Sequence, residues 1–268
     1  MPELDVIIAL LLLGSIVGFT AGLLGIGGGA MLVPSLTAIF LHQGVPLDNL
    51  IHLALGTSMA SIIFTSISSL RAHHARECVE WPIVRQMIIG ILIGSFSATF
   101  IATLMSSLFL AIFFSAFMAY ASLHMFLGQK AVQPMAGSRE FFIVGTGIGA
   151  LSSLVSIGGA SLTVPYLVRC QIDIKKAIGT SAAIGLPISL AGTLGYTING
   201  LWHTSNDNFT FGFVYWPGAI LISMAGSICA PIGVSIAHRL PVQRLKKIFG
   251  VFLILLSIKM LISVIQGH

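Results

Sequence analysis

Residues 23–36 read Leu-Leu-Gly-Ile-Gly-Gly-Gly-Ala-Met-Leu-Val-Pro-Ser-Leu, and residues 154–167 read Leu-Val-Ser-Ile-Gly-Gly-Ala-Ser-Leu-Thr-Val-Pro-Tyr-Leu. The two stretches align without a gap at an offset of 131 residues. Each is an apolar run interrupted by glycines. A helix interior loses about 1 kcal/mol at every glycine relative to alanine, so consecutive glycines predict a break in both runs. Beyond each break the chain resumes as a short apolar segment carrying Val33-Pro34 or Val164-Pro165. These prolines fall in the first turn or two of a new helix, where they do less damage than deeper in.

Other landmarks repeat in the same order. Gly56-Thr57-Ser58 matches Gly179-Thr180-Ser181, Trp81-Pro82 matches Trp216-Pro217, and Ser122-Leu123-His124-Met125 matches Ser257-Ile258-Lys259-Met260, at offsets of 123 to 135. An internal duplication is the simplest reading. It predicts two membrane repeats, 1–131 and 138–268, joined by a short linker at 132–137.

Composition names the solvent. Of 268 residues 56% are hydrophobic and 8% charged, against roughly 25% charged in soluble domains. So few charges cannot cover a soluble globule, and the chain reads as a polytopic integral membrane protein. Disorder and a disulfide scaffold are excluded by the same balance, and Cys78, Cys170 and Cys229 share no metal or redox spacing. The acidic start Met1-Pro2-Glu3-Leu4-Asp5 is not a basic leader, so the first apolar segment is expected to be retained. The net charge of +5 fits cationic loops on one membrane face rather than nucleic-acid binding.

Charge-free runs of 42, 22, 44, 28, 30 and 31 residues divide the chain, and about 20 apolar residues make one crossing. They predict helices at 6–24, 29–41, 51–70, 82–104, 107–128, 141–156, 160–168, 177–198, 212–236 and 247–265. If each glycine motif merely interrupts a span, seven Lys and Arg fall inside and five outside. If each is the tip of a re-entrant hairpin followed by three spans, twelve fall inside and none outside, with Lys259 in the last span. The second arrangement satisfies the positive-inside bias. Three crossings per half make the halves inverted and put both termini outside. The expected fold is thus an all-α membrane protein of two inverted repeats, each a glycine-broken hairpin plus three transmembrane helices.

Broken backbone in hydrocarbon must be satisfied by protein or cavity water, so breaks persist where they line something. The short helix after each break presents unpaired N–H groups and a positive dipole end, both of which favour an anion. Gly27, Gly28, Gly29, Gly158 and Gly159 are the candidate backbone donors; close helix packing is the other explanation for them. Thr57, Ser58, Thr180 and Ser181 can add hydroxyl contacts without adding charge, or can bond carbonyls of their own helices. Ser156, Ser161 and Thr163 are weaker candidates beside the second break. His124 and Lys259 occupy equivalent positions near the ends of their spans, as snorkelling residues or as anion-attracting gates. His52 is placed at a helix start facing the outer surface. His73 and His74 are placed with Arg71 and Arg76 in a solvated basic turn. No Asp or Glu falls in an assigned span, which argues against a carboxylate proton relay.

Gly25-Ile26-Gly27-Gly28-Gly29 with Val33-Pro34, the second copy of that motif and the two Gly-Thr-Ser landmarks together resemble the TauE/SafE sulfite exporter family. The resemblance covers nearly the whole chain and includes the duplication. It implies transport, in the export direction, of sulfite or a short organosulfonate across a bacterial cytoplasmic membrane. The second copy departs from the glycine triplet, with Ser156 and Ala160 in place of the outer glycines.

Enzyme classes fail on missing residues: no His-Glu-x-x-His helix and no phosphate loop with Lys-Ser/Thr is present. No cofactor or metal is expected. The expected partners are a small anionic solute and the lipid bilayer, without nucleic acid, and a homo-oligomer stays open. Alternatives to a permease are a passive anion channel and a non-transporting membrane subunit or receptor.

Overall fold

A computed structural model describes residues 4–24, 28–126, 137–202 and 209–237, together with Ile254, Leu255, Ile258, Leu261 and Ile262. The first half holds α1 (Leu4–Leu24), α2 (Gly29–His42), α3 (Leu47–His74), α4 (Trp81–Thr103) and α5 (Ser107–Phe126). The second holds α6 (Ser138–Leu154), α7 (Ala160–Arg169), α8 (Ile174–Gly200), a hairpin of β1 (Thr210–Phe211) and β2 (Val214–Tyr215), and α9 (Trp216–Ala237). The predicted helix at 247–265 falls outside the described residues apart from the five positions named above. Helices α1, α3, α4, α8 and α9 are long and apolar enough to cross a bilayer. The chain is an all-α polytopic membrane protein.

Local signals account for the element ends. Pro82 stands at the second position of α4, where its missing N–H costs nothing. The Asp173 carboxylate caps α8 by accepting from the Lys175 N–H at 2.9 Å. The short helices end alike: Gly44 (φ 76°) and Gln171 (φ 61°) are left-handed, and the next amides, Val45 and Ile172, bond back to Phe40 and Leu167. This closure satisfies carbonyls that would otherwise be orphaned. The last described helix starts at Trp216 rather than 212 because Thr210–Tyr215 forms an antiparallel pair. Its alternation of aromatic and β-branched residues suits a strand.

Helices α3 and α8 form the core, and their polar and apolar side chains alike are mostly buried. They run antiparallel: Gly56 faces Tyr196, Met59 faces Gly192 and Ser66 faces Gly185. Outside them α1 pairs with α9, and α4 with α6. Both outer pairs are parallel, since Gly14, Gly18 and Gly22 meet Ile222, Gly226 and Ala230, while Gly145 and Gly149 meet Met87 and Ile91. Any Cβ at Gly18 would overlap the Gly226 backbone, which is how small residues four apart let membrane helices touch. Helix α3 also packs on α9 and α2, and α8 on α4 and α7. Exchanging α1 to α4 for α6 to α9 maps this set of pairings onto itself.

Candidate functional site

The second break is fully described. Ser156 (φ 47°) is left-handed and ends α6. The Ile157 N–H bonds the Ser152 carbonyl at 2.9 Å, and the Ser156 N–H bonds Ser153 at 3.4 Å, the same closure as at the short-helix ends. A serine in this conformation is strained relative to glycine, and its side chain supplies a reason for it. The Ser156 hydroxyl donates to the Leu55 carbonyl at 3.2 Å, tying the break to α3. Gly159 then turns left-handed again, at φ 80°, and caps α7.

The first break repeats this geometry where it is described. Gly28, aligned with Gly159, caps α2 at φ 74°; Gly27 lies outside the described residues. An L side chain at either position would sit in the left-handed region. The Met31 and Leu32 amides bond Gly28, and the Leu162 and Thr163 amides bond Gly159. The first two amides of each short helix, Gly29 and Ala30 in α2 and Ala160 and Ser161 in α7, have no acceptor within their helix.

The two breaks touch. A Cβ on Gly29 would overlap the Ser156 carbonyl and would lie 3.0 Å from Ile62 Cδ1. Gly159 lies against Ile184 and Ile188. Ile62, Ile184 and Ile188 are near the middles of α3 and α8, so the positive ends of α2 and α7 converge at mid-height in the core. Ser58, Ser161 and Thr163 place buried hydroxyls there with no hydrogen-bond partner among the described residues. The Thr163 hydroxyl is 3.5 Å from where a Gly159 Cβ would be. Gly158, Gly159, Thr163 and Ser58 are buried.

The two threonines of the repeated Gly-Thr-Ser motifs point elsewhere. The Tyr215 N–H donates to Thr57 Oγ1 at 2.9 Å, and the Glu80 N–H donates to Thr180 Oγ1 at 2.9 Å. Each threonine holds the connection leading into the opposite half's Trp-Pro helix. The preceding glycines let those connections approach, since Cβ atoms at Gly56 and Gly179 would overlap the carbonyls of Phe213 and Cys78. Thr180 is one turn from the α8 residue that meets the second break. Ser181 donates to its own helix at Ile178, 2.7 Å away. The side chains of His124 and Lys259 lie outside the described residues.

Tyr196 was not singled out by sequence, and two of the histidines that were take other places. The fully buried Tyr196 donates to the Ser153 carbonyl at 3.0 Å, in the last turn before the second break. His52 is buried rather than facing the outer surface. Its Nε2 is 3.0 Å from the Ala102 carbonyl, and its ring stacks on Phe213 at 5.1 Å. His73 is also buried, because α3 runs on to His74 where a solvated turn was expected. His74 is exposed and accepts from the Trp81 indole N–H at 3.3 Å. No residue spacing marks these contacts, which depend on the packing of α3 against the 209–215 segment and α4. At the other connection Lys176 and Glu80 pair at 2.6 Å. Burial pushes the Cys78 thiol up, against the lowering effect of Lys175 nearby.

The family model of the sulfite exporter TauE/SafE matches residues 10–260. The chain belongs to the TauE/SafE family. A "probable membrane transporter protein" of Haemophilus influenzae is 33% identical over 260 residues, covering 96% of this chain and 98% of the relative. One from Methanocaldococcus jannaschii is 26% identical over 260 residues, covering 94% of each chain. One from Bacillus subtilis is 26% identical over 205 residues, covering 73% of this chain and 79% of the relative. No solved structure matches. As a TauE/SafE member of this composition, the protein is a multi-pass membrane transporter acting on a small solute.

The threonine contacts predict matched stability effects in the two halves of this TauE/SafE protein. Thr57→Val or Thr180→Val leaves a backbone N–H without its acceptor, at a cost of about 1–3 kcal/mol. Thr57→Ser and Thr180→Ser keep the acceptor and most of the stability. Thermal unfolding of the detergent-solubilised protein measures both. Equal melting temperatures for the valine and serine variants would contradict the assignment.

Proposed function

We propose that this transporter is a permease for a small anion, sulfite or a short organosulfonate or related organosulfur anion. It exports the solute across the cytoplasmic (inner) membrane by alternating access around the two broken hairpins. The convergence of α2 and α7 on one point carries this reading: two left-handed glycines, Gly28 and Gly159, cap helices whose first two amides have no acceptor within their helix, near the hydroxyls of Ser58, Ser161 and Thr163, which have no hydrogen-bond partner among the described residues. Helix starts attract anions through exposed N–H groups and partial positive charge, and paired half-helices at a repeat interface recur in secondary transporters. The substrate site comprises Gly27, Gly28, Gly29, Ser58, Gly158, Gly159, Ser161 and Thr163. Thr57, Thr180 and Ser181 support it, the threonines retaining a hydroxyl proton that can be donated. His124 and Lys259 serve to attract the anion at the span ends.

In this reading the halves, 1–131 and 138–268 with the linker 132–137, are inverted repeats. Antiparallel α3 and α8 are counterparts, and so are α4 and α9. Because α1 runs parallel to α9 and α4 parallel to α6, α1 and α6 run oppositely as well. The loop with Arg71 and Arg76 and the loop with Arg169, Lys175 and Lys176 then share one face, joined by the Glu80–Lys176 pair. That face is cytoplasmic by the positive-inside bias, and both termini are outside.

Two experiments test these points. In proteoliposomes the purified chain is expected to give saturable flux of sulfite or methanesulfonate. Ser58→Ala and Thr163→Val are each expected to raise the half-saturating concentration about tenfold, the equivalent of one charge-assisted hydrogen bond. Flux unchanged in both variants, with folding intact, contradicts the site. For orientation, Cys170 and Cys229 are replaced by serine, and Cys78, shielded by burial, supplies little background. Glu77→Cys and Lys175→Cys should then label from the cytoplasmic face, and Gln43→Cys from the opposite one. Labelling of Glu77→Cys and Lys175→Cys from different faces overturns the inverted arrangement.

A further inference from the structure

We propose that the species carried through the junction of the two breaks is a monoanion, and that dianions are rejected by charge rather than by shape; this deepens, and rests on, the permease reading above. The observation is what surrounds the junction. Among the described residues every Lys and Arg is exposed, and the buried carboxylate oxygen of Glu140 lies in the first turn of α6, at the opposite end of that helix from the break. The buried polar side chains are Ser, Thr and Asn199, together with Tyr196 and two histidines. His52 and His73 stand at opposite ends of α3, away from the mid-helix contacts of Gly29 and Ile62. Lys259, within the predicted last span, lies outside the described residues. The unpartnered donors at the junction, Ser58, Ser161 and Thr163, are all neutral.

Among the described residues, positive charge at the junction therefore comes from the two helix starts. Each is equivalent to about half an elementary charge, and two converging ends amount to about one. That offsets a single negative charge. A second would stay uncompensated, and the cost of taking an ion out of water grows as the square of its charge. Donors of this kind suit a compact tetrahedral or pyramidal oxyanion bearing one charge, such as a sulfonate. For sulfite, whose second proton dissociates near neutral pH, the carried form is hydrogensulfite. Its proton crosses bound to the solute and is released to water afterwards, so sulfite efflux moves protons without a carboxylate at the junction.

Methanesulfonate and sulfate provide the test, being close in size and shape but differing by one charge. In proteoliposomes of the full chain, with protein-free liposomes subtracted, methanesulfonate flux is expected to exceed sulfate flux at least a hundredfold, with no competition by sulfate. The methanesulfonate rate should be flat between pH 6 and pH 8.5, which also reports whether His52 or His73 titration matters. The sulfite rate, referred to total sulfite, should fall about tenfold per pH unit above its second pKa. Sulfate carried or competing within tenfold of methanesulfonate overturns the proposal while leaving the permease reading intact, as does a sulfite rate that rises with pH. Flux of none of the three anions overturns the permease reading and this proposal with it.

Discussion

A peptide group in hydrocarbon has no water to bond, so every N–H and C=O in the membrane must find a partner inside the protein. The rest of this structure follows from how that constraint is met at two places where the helix is broken. Intact helices satisfy themselves. The breaks at Gly28 and at residues 155–159 cannot, and the chain buries them against the two longest helices, α3 and α8. At the second break the orphaned ends are closed locally by the Ser152 and Ser153 carbonyls, by the Ser156 hydroxyl on Leu55, and by Tyr196 from α8. The first amides of α2 and α7 have no acceptor within their helices, and the two helix starts lie close together, Gly29 against the Ser156 carbonyl. Donors that lack a partner at the middle of a membrane are costly, and an anion is the ligand that helix starts favour.

The contacts away from the breaks keep that geometry fixed from both ends. Thr57 grips the connection into α9, and Thr180 grips the connection into α4, so each half of the chain clamps the other. Glycine stripes bring α1 against α9 and α4 against α6 closely enough that a single added methyl would strike backbone. The core helices carry hydroxyls rather than charges along their buried faces. Such groups can bond a neighbouring carbonyl when no solute is present, as Ser61 does with Thr57 at 2.9 Å, without the desolvation cost of an ion.

Much of this was readable in the chain itself. Glycine runs, proline positions and charge-free lengths mark the helices to within a few residues, because each reflects a local rule of backbone geometry or membrane thickness. The alignment of residues 23–36 with 154–167 pairs Gly28 with Gly159, and both adopt the same left-handed turn. Partnerships set by tertiary packing were not readable. Thr57 and Thr180 look like solute ligands in sequence because a hydroxyl in an apolar helix has no assigned partner; the amides they serve lie 158 and 100 residues away. The burial of His52 depends on a two-stranded hairpin whose Phe213 covers it, and short strands leave little trace amid apolar helices. Thr163 stood only as a weaker candidate, since a threonine one turn into a short helix commonly bonds its own backbone; its hydroxyl has no partner among the described residues.

The central claim is that an anion sits between the starts of α2 and α7. Crystals of the full chain grown with selenite, the heavier congener of sulfite, test it through anomalous scattering from selenium. The expected result is one peak within hydrogen-bonding reach of the Gly29, Ala30, Ala160 and Ser161 amides and the Thr163 hydroxyl. A peak found only beside the exposed lysines and arginines of the loops, with the junction empty, would contradict it.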